Sequence, residues 1–204
     1  MKKKTEAKRQ AILNVAAQTF RELGFEKTSM SEICTRVGGS KATIYNYFSS
    51  KDELFFEVMF LSLEAEFDVV HRFLQEAPED IETALRDFGK KLLKFLYSEE
   101  LQAQRHLAIE QSGKTELGKI AYERGALRSQ NIVADYLKEA AAQEKLRPED
   151  PFIMTKHLYA LLEAEFMDRV MFRVHHLITQ DEIDVAVERS IRVFMAAYGT
   201  SSKA

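Results

Sequence analysis

Residues 29–53, SMSEICTRVGGSKATIYNYFSSKDE, constrain the fold more tightly than any other part of the chain. Ser29 and Glu32 stand three apart at the head of a short run ending at Val37, the spacing of a helix that opens on a capping box with Ile33 and Val37 facing inward. Gly38-Gly39 breaks that helix. Ser40 opens a second short helix that ends near Phe48, and Ile44 and Phe48, at i and i+4, share its inner face. Two short helices around a tight glycine turn form a helix-turn-helix. The rest of the second helix offers Lys41, Ala42, Thr43, Tyr45, Asn46 and Tyr47. A cation, hydroxyls and an amide are the groups that bond to phosphates and base edges in a DNA groove.

Charge supports that partner through its distribution. The chain carries a net charge of −3 over 204 residues, yet residues 1–52 hold ten Lys/Arg against five Asp/Glu, leaving 19 against 27 in the rest. A basic head on an acidic body suits one module approaching a polyanion. Cys34 is the sole cysteine; it fits a reducing, cytoplasmic setting, and reads as a small core residue with a redox role as the alternative. The start, MKKKTEAKRQ, has no apolar stretch after its lysines and is not a signal peptide. No apolar run reaches the roughly 18 residues of a membrane span, so no membrane partner is expected.

Three prolines and eight glycines, with helical periodicity throughout, predict an all-α protein of about nine helices. The first helix carries Ile12, Leu13, Ala16, Ala17, Phe20 and Leu23 on one stripe and ends at Gly24, after which Phe25 turns back onto the core. Ser50-Lys-Asp-Glu53 opens a long fourth helix reaching to about Glu76, with Leu54, Phe55, Val58, Met59, Leu61 and Phe67 as its apolar residues. Further helices are predicted over about 80–97, 100–111 and 116–144, the last with Gly125 as a bend. Asp150-Pro151 opens an eighth helix to about His176, and Thr179–Glu182 caps a ninth to about Tyr198. The division expected is a helix-turn-helix head over 1–52 and a body over 53–204, joined by the fourth helix.

Position assigns roles in the head. Thr28 and Ser29 sit at a helix N-terminus, suited to a phosphate. Ser40 and Lys41 open the reading helix, Thr43 and Asn46 suit base edges, and the phenols of Tyr45 and Tyr47 suit phosphates, with amphipathic packing as the alternative for both tyrosines. Lys51 is placed for a further phosphate, and Lys2, Lys3 and Lys4 for an arm along the backbone or minor groove.

The segment TSMSEICTRVGGSKATIYNYFSSKDELF resembles the head of TetR-family transcriptional regulators. The family pattern is a hydroxyl-led second helix, a small turn, a Thr ahead of a Tyr-x-Tyr-Phe core, and a Lys-acidic-Glu-Leu start to the fourth helix. Here Thr28, Ser29, Thr43, Tyr45, Tyr47, Phe48, Lys51 and Leu54 carry it. The turn departs from the pattern: Gly38-Gly39-Ser40 stands where a small residue and Val or Pro are usual, which implies a looser start to the reading helix and a less secure Ser40 contact. The body, through His106-Leu-Ala-Ile-Glu110, Tyr122-Glu-Arg-Gly125 and Leu146-Arg-Pro-Glu-Asp-Pro151, is similar to the AefR-like subgroup. The resemblance implies a homodimer through the last two helices, an effector pocket in the body and a double-stranded, palindromic operator.

Candidates for the pocket are Phe67, Phe88, Leu92, His106, Ile109, Glu110, Tyr122, Glu163, Phe166 and Met167, an apolar set with a few polar groups suited to a small hydrophobic or cationic ligand. Ordinary core packing, a surface ion pair or a dimer-rim contact is the alternative for each. The histidines are too scattered to make a metal site, and His175-His176 point about 100° apart on a helix. No glycine-rich phosphate loop, nucleophile elbow or metal-spaced ligand set is present, so neither an enzyme nor a cofactor is expected. The reading is a ligand-released repressor; an activator or an effector-independent DNA-binding protein is the alternative.

Overall fold

A computed structural model of the chain describes residues 5–75, 80–172, 174 and 178–200. Among these the chain is helical, with isolated bridges and no strand. The helices are α1 (Glu6–Lys27), α2 (Met30–Val37), α3 (Lys41–Tyr45), α4 (Lys51–Gln75), α5 (Ile81–Leu96), α6 (Glu99–Gln111), α7 (Leu117–Ala121), α8 (Arg128–Ala142), α9 (Pro151–Glu163), α10 (Met167–Met171) and α11 (Gln180–Tyr198). A π-helical turn, Tyr122–Leu127, joins α7 to α8 without a break and contains Gly125. With that rod counted once, the described residues form ten helices.

The tenth helix comes from a division of the one predicted from Pro151. The helix expected from Pro151 to about His176 stops at Glu163 and restarts at Met167. Across the stop, Ala164 and Phe166 donate to carbonyls three residues back rather than four, a tightened turn. Phe166 is buried there, edge-on to Tyr97. His175 and His176 lie outside the described residues.

Two compact units emerge: Met1–Ala65 with Ala103–Lys119, and Glu66–Gln102 with Ile120–Ala204. The core of the first gathers Ile12, Leu13, Ala16 and Phe20 of α1, Met30, Ile33 and Cys34 of α2, Ile44, Phe48 and Leu54. Phe25 packs on it, its ring 4.7 Å from that of Phe55. Leu23 does not join the predicted stripe: it is 36% exposed beside Gly24, whose φ of 76° takes the chain out of helical geometry. Leu61 of α4 is likewise exposed, and Phe56 is fully buried in its place. In the second unit α11 packs on α5 and α9, and α8 packs on α9. Its core includes Phe88, Leu92, Leu137, Leu158, Leu162, Val187 and Phe194.

The three predicted capping boxes form to different degrees. Thr179 and Glu182 make the complete reciprocal pair at α11. At α2 the Ser29 hydroxyl accepts from Glu32 N–H, while the Glu32 carboxylate turns to Arg36 at 2.7 Å. At α4 Ser50 accepts from Glu53 N–H, while Glu53 reaches past it to the backbone and hydroxyl of Ser49.

Candidate nucleic-acid interface

The head places a five-residue helix, α3, on the outside of the first unit. Gly38 closes α2 in the left-handed region, φ 69° and ψ 33°. Gly38 N–H bonds to the Thr35 carbonyl and Gly39 N–H to the Cys34 carbonyl, a Schellman end. Only the first glycine needs its type: a Cβ at Gly39 would meet just Val37 Cγ1, at 3.9 Å. The reading helix opens on a capped turn. Ser40 Oγ accepts from Thr43 N–H at 3.2 Å and lies 2.8 Å from Thr43 Oγ1. Ser40 thus caps α3 and positions Thr43, directly after the double glycine.

Ile44 and Phe48 are buried, as their spacing requires. They anchor α3, and the opposite face is turned out: Lys41, Ala42, Tyr45 and Asn46 are exposed and Thr43 is half-buried, while Ser40, the N-cap of α3, and Ser29, the N-cap of α2, are exposed as well. The Lys41 side chain takes part in no hydrogen bond or ion pair among the described residues. Tyr47 is half-buried, its hydroxyl accepting from Thr5 N–H at 3.0 Å.

Two expected contact residues are spent inside the head. Thr28 is 2% exposed and donates to the Gly24 carbonyl at 2.7 Å, so its side chain closes the corner between α1 and α2. Lys51 Nζ donates to the Phe25 carbonyl at 2.9 Å and stands 4.1 Å from the Phe25 ring centroid. Other cations are committed too. Arg9 pairs with the buried Glu57 of α4, and Arg36 bridges Glu22 and Glu32. The count of basic residues therefore overstates the free positive charge; among the described residues of the head, Arg21, Lys27 and Lys41 are exposed and Lys8 is half-buried. Lys4 lies outside the described residues.

The residues proposed for a body pocket divide. Phe67, Phe88, Leu92 and Phe166 are buried in the second unit, where Glu163, 8% exposed, accepts from the Tyr97 hydroxyl at 3.3 Å. Tyr122 and Met167 are at its surface. His106, half-buried, and the exposed Ile109 and Glu110 belong to the first unit. Sequence reading missed the polar line at the centre of the second unit, where His71 meets Ser129 Oγ at 2.5 Å and Ser129 meets the Tyr159 hydroxyl at 2.5 Å. A polar residue between Val70 and Leu74 on an apolar face of α4 was the available signal for His71. Burial pushes the His71 imidazole below its ordinary range, against the Phe67 carbonyl that favours its protonation. Burial likewise raises the Tyr159 phenol. A surface cleft of about 380 Å³ is lined by Glu165, Phe166, Arg169, Asp181, Glu182, Val185 and Arg189. Four of its charges are paired: Arg189 holds Glu165 through two bonds, and Arg169 holds Glu182 at 2.9 Å. Among the described residues no group of three His, Cys, Asp or Glu is placed to hold a metal, and no helix is long and apolar enough to cross a membrane.

This arrangement agrees with what the chain is similar to. Residues 12–58 match the family described as bacterial regulatory proteins, tetR family, and residues 83–200 match the AefR-like transcriptional repressor C-terminal domain. YezE, an uncharacterised HTH-type transcriptional regulator of Bacillus subtilis, is 27% identical over 86% of this chain and 92% of its own length. HbdR, an HTH-type transcriptional regulator of an Aromatoleum species, is 24% identical over 82% and 75%. The crystal structure of a TetR-family regulator from Mesorhizobium loti superposes with a TM-score of 0.79 at 28% identity, covering 97% of this chain and all of that one. The flavonoid-responsive regulator FrrA does so with a TM-score of 0.70 at 27% identity, over the same shares. The chain is a DNA-binding transcriptional regulator of the TetR family, with an AefR-like C-terminal domain.

Proposed function

We propose that the chain acts as a homodimeric, cytoplasmic repressor that binds a two-fold operator and is released from it by a small apolar ligand taken up in the second unit. The observation that carries the DNA side is the division of α3: Ile44 and Phe48 buried, Lys41, Tyr45 and Asn46 exposed, and Thr43 held by Ser40. Thr43 and Asn46 read base edges in this account, while Ser29, Lys41 and Tyr45 meet phosphates. Dimerisation is supported by the outward faces of the last long helices. α9 exposes Ile153, His157 and Ala160, and α11 exposes Val185, Val193 and Ala196, while both bury an opposite face within the unit.

The ligand side is supported by the aromatic interior of the second unit. Phe67 stacks on His71 at 4.0 Å and meets Phe95 edge-on at 6.3 Å, and Phe88 lies 6.0 Å from His71. Flat, uncharged molecules with one or two hydrogen-bonding groups suit such surroundings, and the flavonoid response named for FrrA, 27% identical, belongs to that chemistry. The test is operator selection from random duplexes, followed by affinity for the selected site with and without a flavonoid such as naringenin. Loss of affinity on adding the ligand supports the reading. Unchanged affinity with a saturated protein removes ligand release and leaves an effector-independent regulator.

A further inference from the structure

The polar line in the second unit has only one possible direction. His71 Nδ1 lies 2.7 Å from the Phe67 carbonyl oxygen, which can only accept, so Nδ1 carries hydrogen. In the neutral imidazole Nε2 is then an acceptor, and Ser129 Oγ, 2.5 Å away, must donate to it. Ser129 has no second hydrogen to give. The 2.5 Å contact with Tyr159 is therefore made by the phenol, donating to Ser129. Hydrogen bonds run from Tyr159 of α9, through Ser129 of α8, to His71 of α4, and end on the backbone of α4 itself. All three side chains are buried, at 8%, 6% and 4% exposure.

We propose that this chain is a proton-operated latch that holds the C-terminal half of α4 to α8 and α9, closed when His71 is neutral and opened by acid. A proton on Nε2 turns the acceptor into a donor. Ser129 must then turn its hydrogen away from His71, either to Tyr159, which displaces the phenolic hydrogen, or to another acceptor, so that in each case one hydroxyl hydrogen loses its present acceptor in a dry interior. The groups around His71 do not offset the new charge. On α4, Asp68 is occupied by Arg128 of α8, 3.2 Å away, so one carboxylate and one cation face the ring together. α5 presents the uncharged edge of Phe88. On α9, Glu163 lies one turn beyond Tyr159 and is engaged by Tyr97. Arg128 also sits over the Phe67 ring at 4.3 Å, so α8 grips the same stretch of α4 twice. The π-helical turn ends at Leu127, directly before Arg128 and Ser129, and a turn of that kind inside an α-helix is a common mark of a functional distortion. The regulatory meaning of the latch rests on the DNA-binding reading, because α4 begins three residues after Phe48, the anchor of α3; the latch itself does not.

Side-chain nitrogen NMR of the histidines and amide hydrogen exchange of the full chain, from pH 7.5 to 5.5, test it without DNA. Neutral His71 is expected as the Nδ1–H tautomer. With exchange corrected for its intrinsic rate, protection of amides 67–74 should fall about tenfold across that range, because opened α4 exposes a histidine of ordinary pKa, about 6.5, that takes up one proton. Protection in α11 around Ile191 and Phe194 should hold, and His71→Gln should flatten the α4 profile. An Nε2–H tautomer overturns the proposal, as does a charged His71 under an undiminished protection. Parallel loss in α4 and α11 overturns it too, since that marks global unfolding. Should His71→Gln fail to fold, the wild-type tautomer and the α4-to-α11 comparison decide. Operator binding measured separately tests the regulator reading, so the two stand or fall apart.

Discussion

Thr5 N–H donates to the Tyr47 hydroxyl at 3.0 Å, tying the first turn of α1 to the residues that follow α3. The N-cap of α1 and the reading helix are thus held to each other across 42 residues of sequence. Tyr47→Phe removes the acceptor and leaves the Thr5 N–H to water. The bond is exposed, so the expected loss of stability is small, about 0.5–1 kcal/mol. Operator affinity is expected to fall by more than that, because the register of α1 against α3 loosens. Urea denaturation and fluorescence anisotropy on the same variant check both halves.

Lys51 is expected to act as a strut. Its ammonium bonds to the Phe25 carbonyl and covers the Phe25 ring. Lys51→Met should destabilise the protein by about 1–2 kcal/mol while leaving the salt dependence of DNA binding unchanged. Lys41→Ala should do the opposite: stability holds, and the slope of log K against log salt becomes shallower by about 1. A shallower slope for Lys51→Met reassigns that lysine to a phosphate.

Arg9 and Glu57 join α1 to α4 inside the first unit, with the Glu57 side chain 9% and the Arg9 side chain 31% exposed. Arg9→Ala withdraws the cation from a buried carboxylate. The expected cost is about 2–3 kcal/mol, below that of a fully buried pair because Arg9 is partly solvated. Arg9→Met with Glu57→Met should recover most of it. Chemical denaturation of the single and double variants measures the difference.

Asp80 caps α5 by accepting from the Thr83 hydroxyl at 2.5 Å and the Thr83 N–H at 2.9 Å. The hydroxyl bond first, then the backbone bond, hold its carboxyl below the usual carboxylate range. A depressed folded pKa contributes stability that is complete above the unfolded value, about 3.9, and is lost as pH falls through the lower folded one. Asp80→Ala should cost about 1 kcal/mol at pH 7, and the gap to wild type should narrow once the pH falls below the unfolded value of about 3.9. Thermal melts on both sides of that value check this.

The outward faces of α9 and α11 give a prediction about assembly. Val193 is 50% exposed and Ala160 is exposed, each on the side of its helix turned away from the core of the unit. Ala160→Glu and Val193→Glu should each shift the mass in light scattering from twice 23.5 kDa towards 23.5 kDa without loss of helicity. A wild-type chain that is already monomeric at micromolar concentration counts against the dimer.

The head was legible because its determinants are local. Ile44 and Phe48 are one turn apart, Gly38 ends α2 by a backbone conformation other residues disfavour, and Ser40 caps a helix three residues from Thr43. Other features depend on partners distant in sequence. Lys51 finds a carbonyl 26 residues earlier, and His71 finds Ser129 58 residues later. The stop in the helix after Glu163 has no proline or glycine to mark it; the placement of Phe166 against Tyr97 goes with it. Glu32 and Glu53 carried the capping-box spacing, but each carboxylate found a competing donor nearby.

In the proposed function the exposed face of α3 reads sequence. Anisotropy at about 150 mM salt, on a selected two-fold duplex and on the same duplex scrambled, tests it most directly. The wild type should prefer the selected site at least about a thousandfold, and Thr43→Ala or Asn46→Ala should lose affinity for that site by about 1–3 kcal/mol while binding the scrambled duplex as before. Equal wild-type affinity for both duplexes, or equal losses on both in the variants, would contradict it.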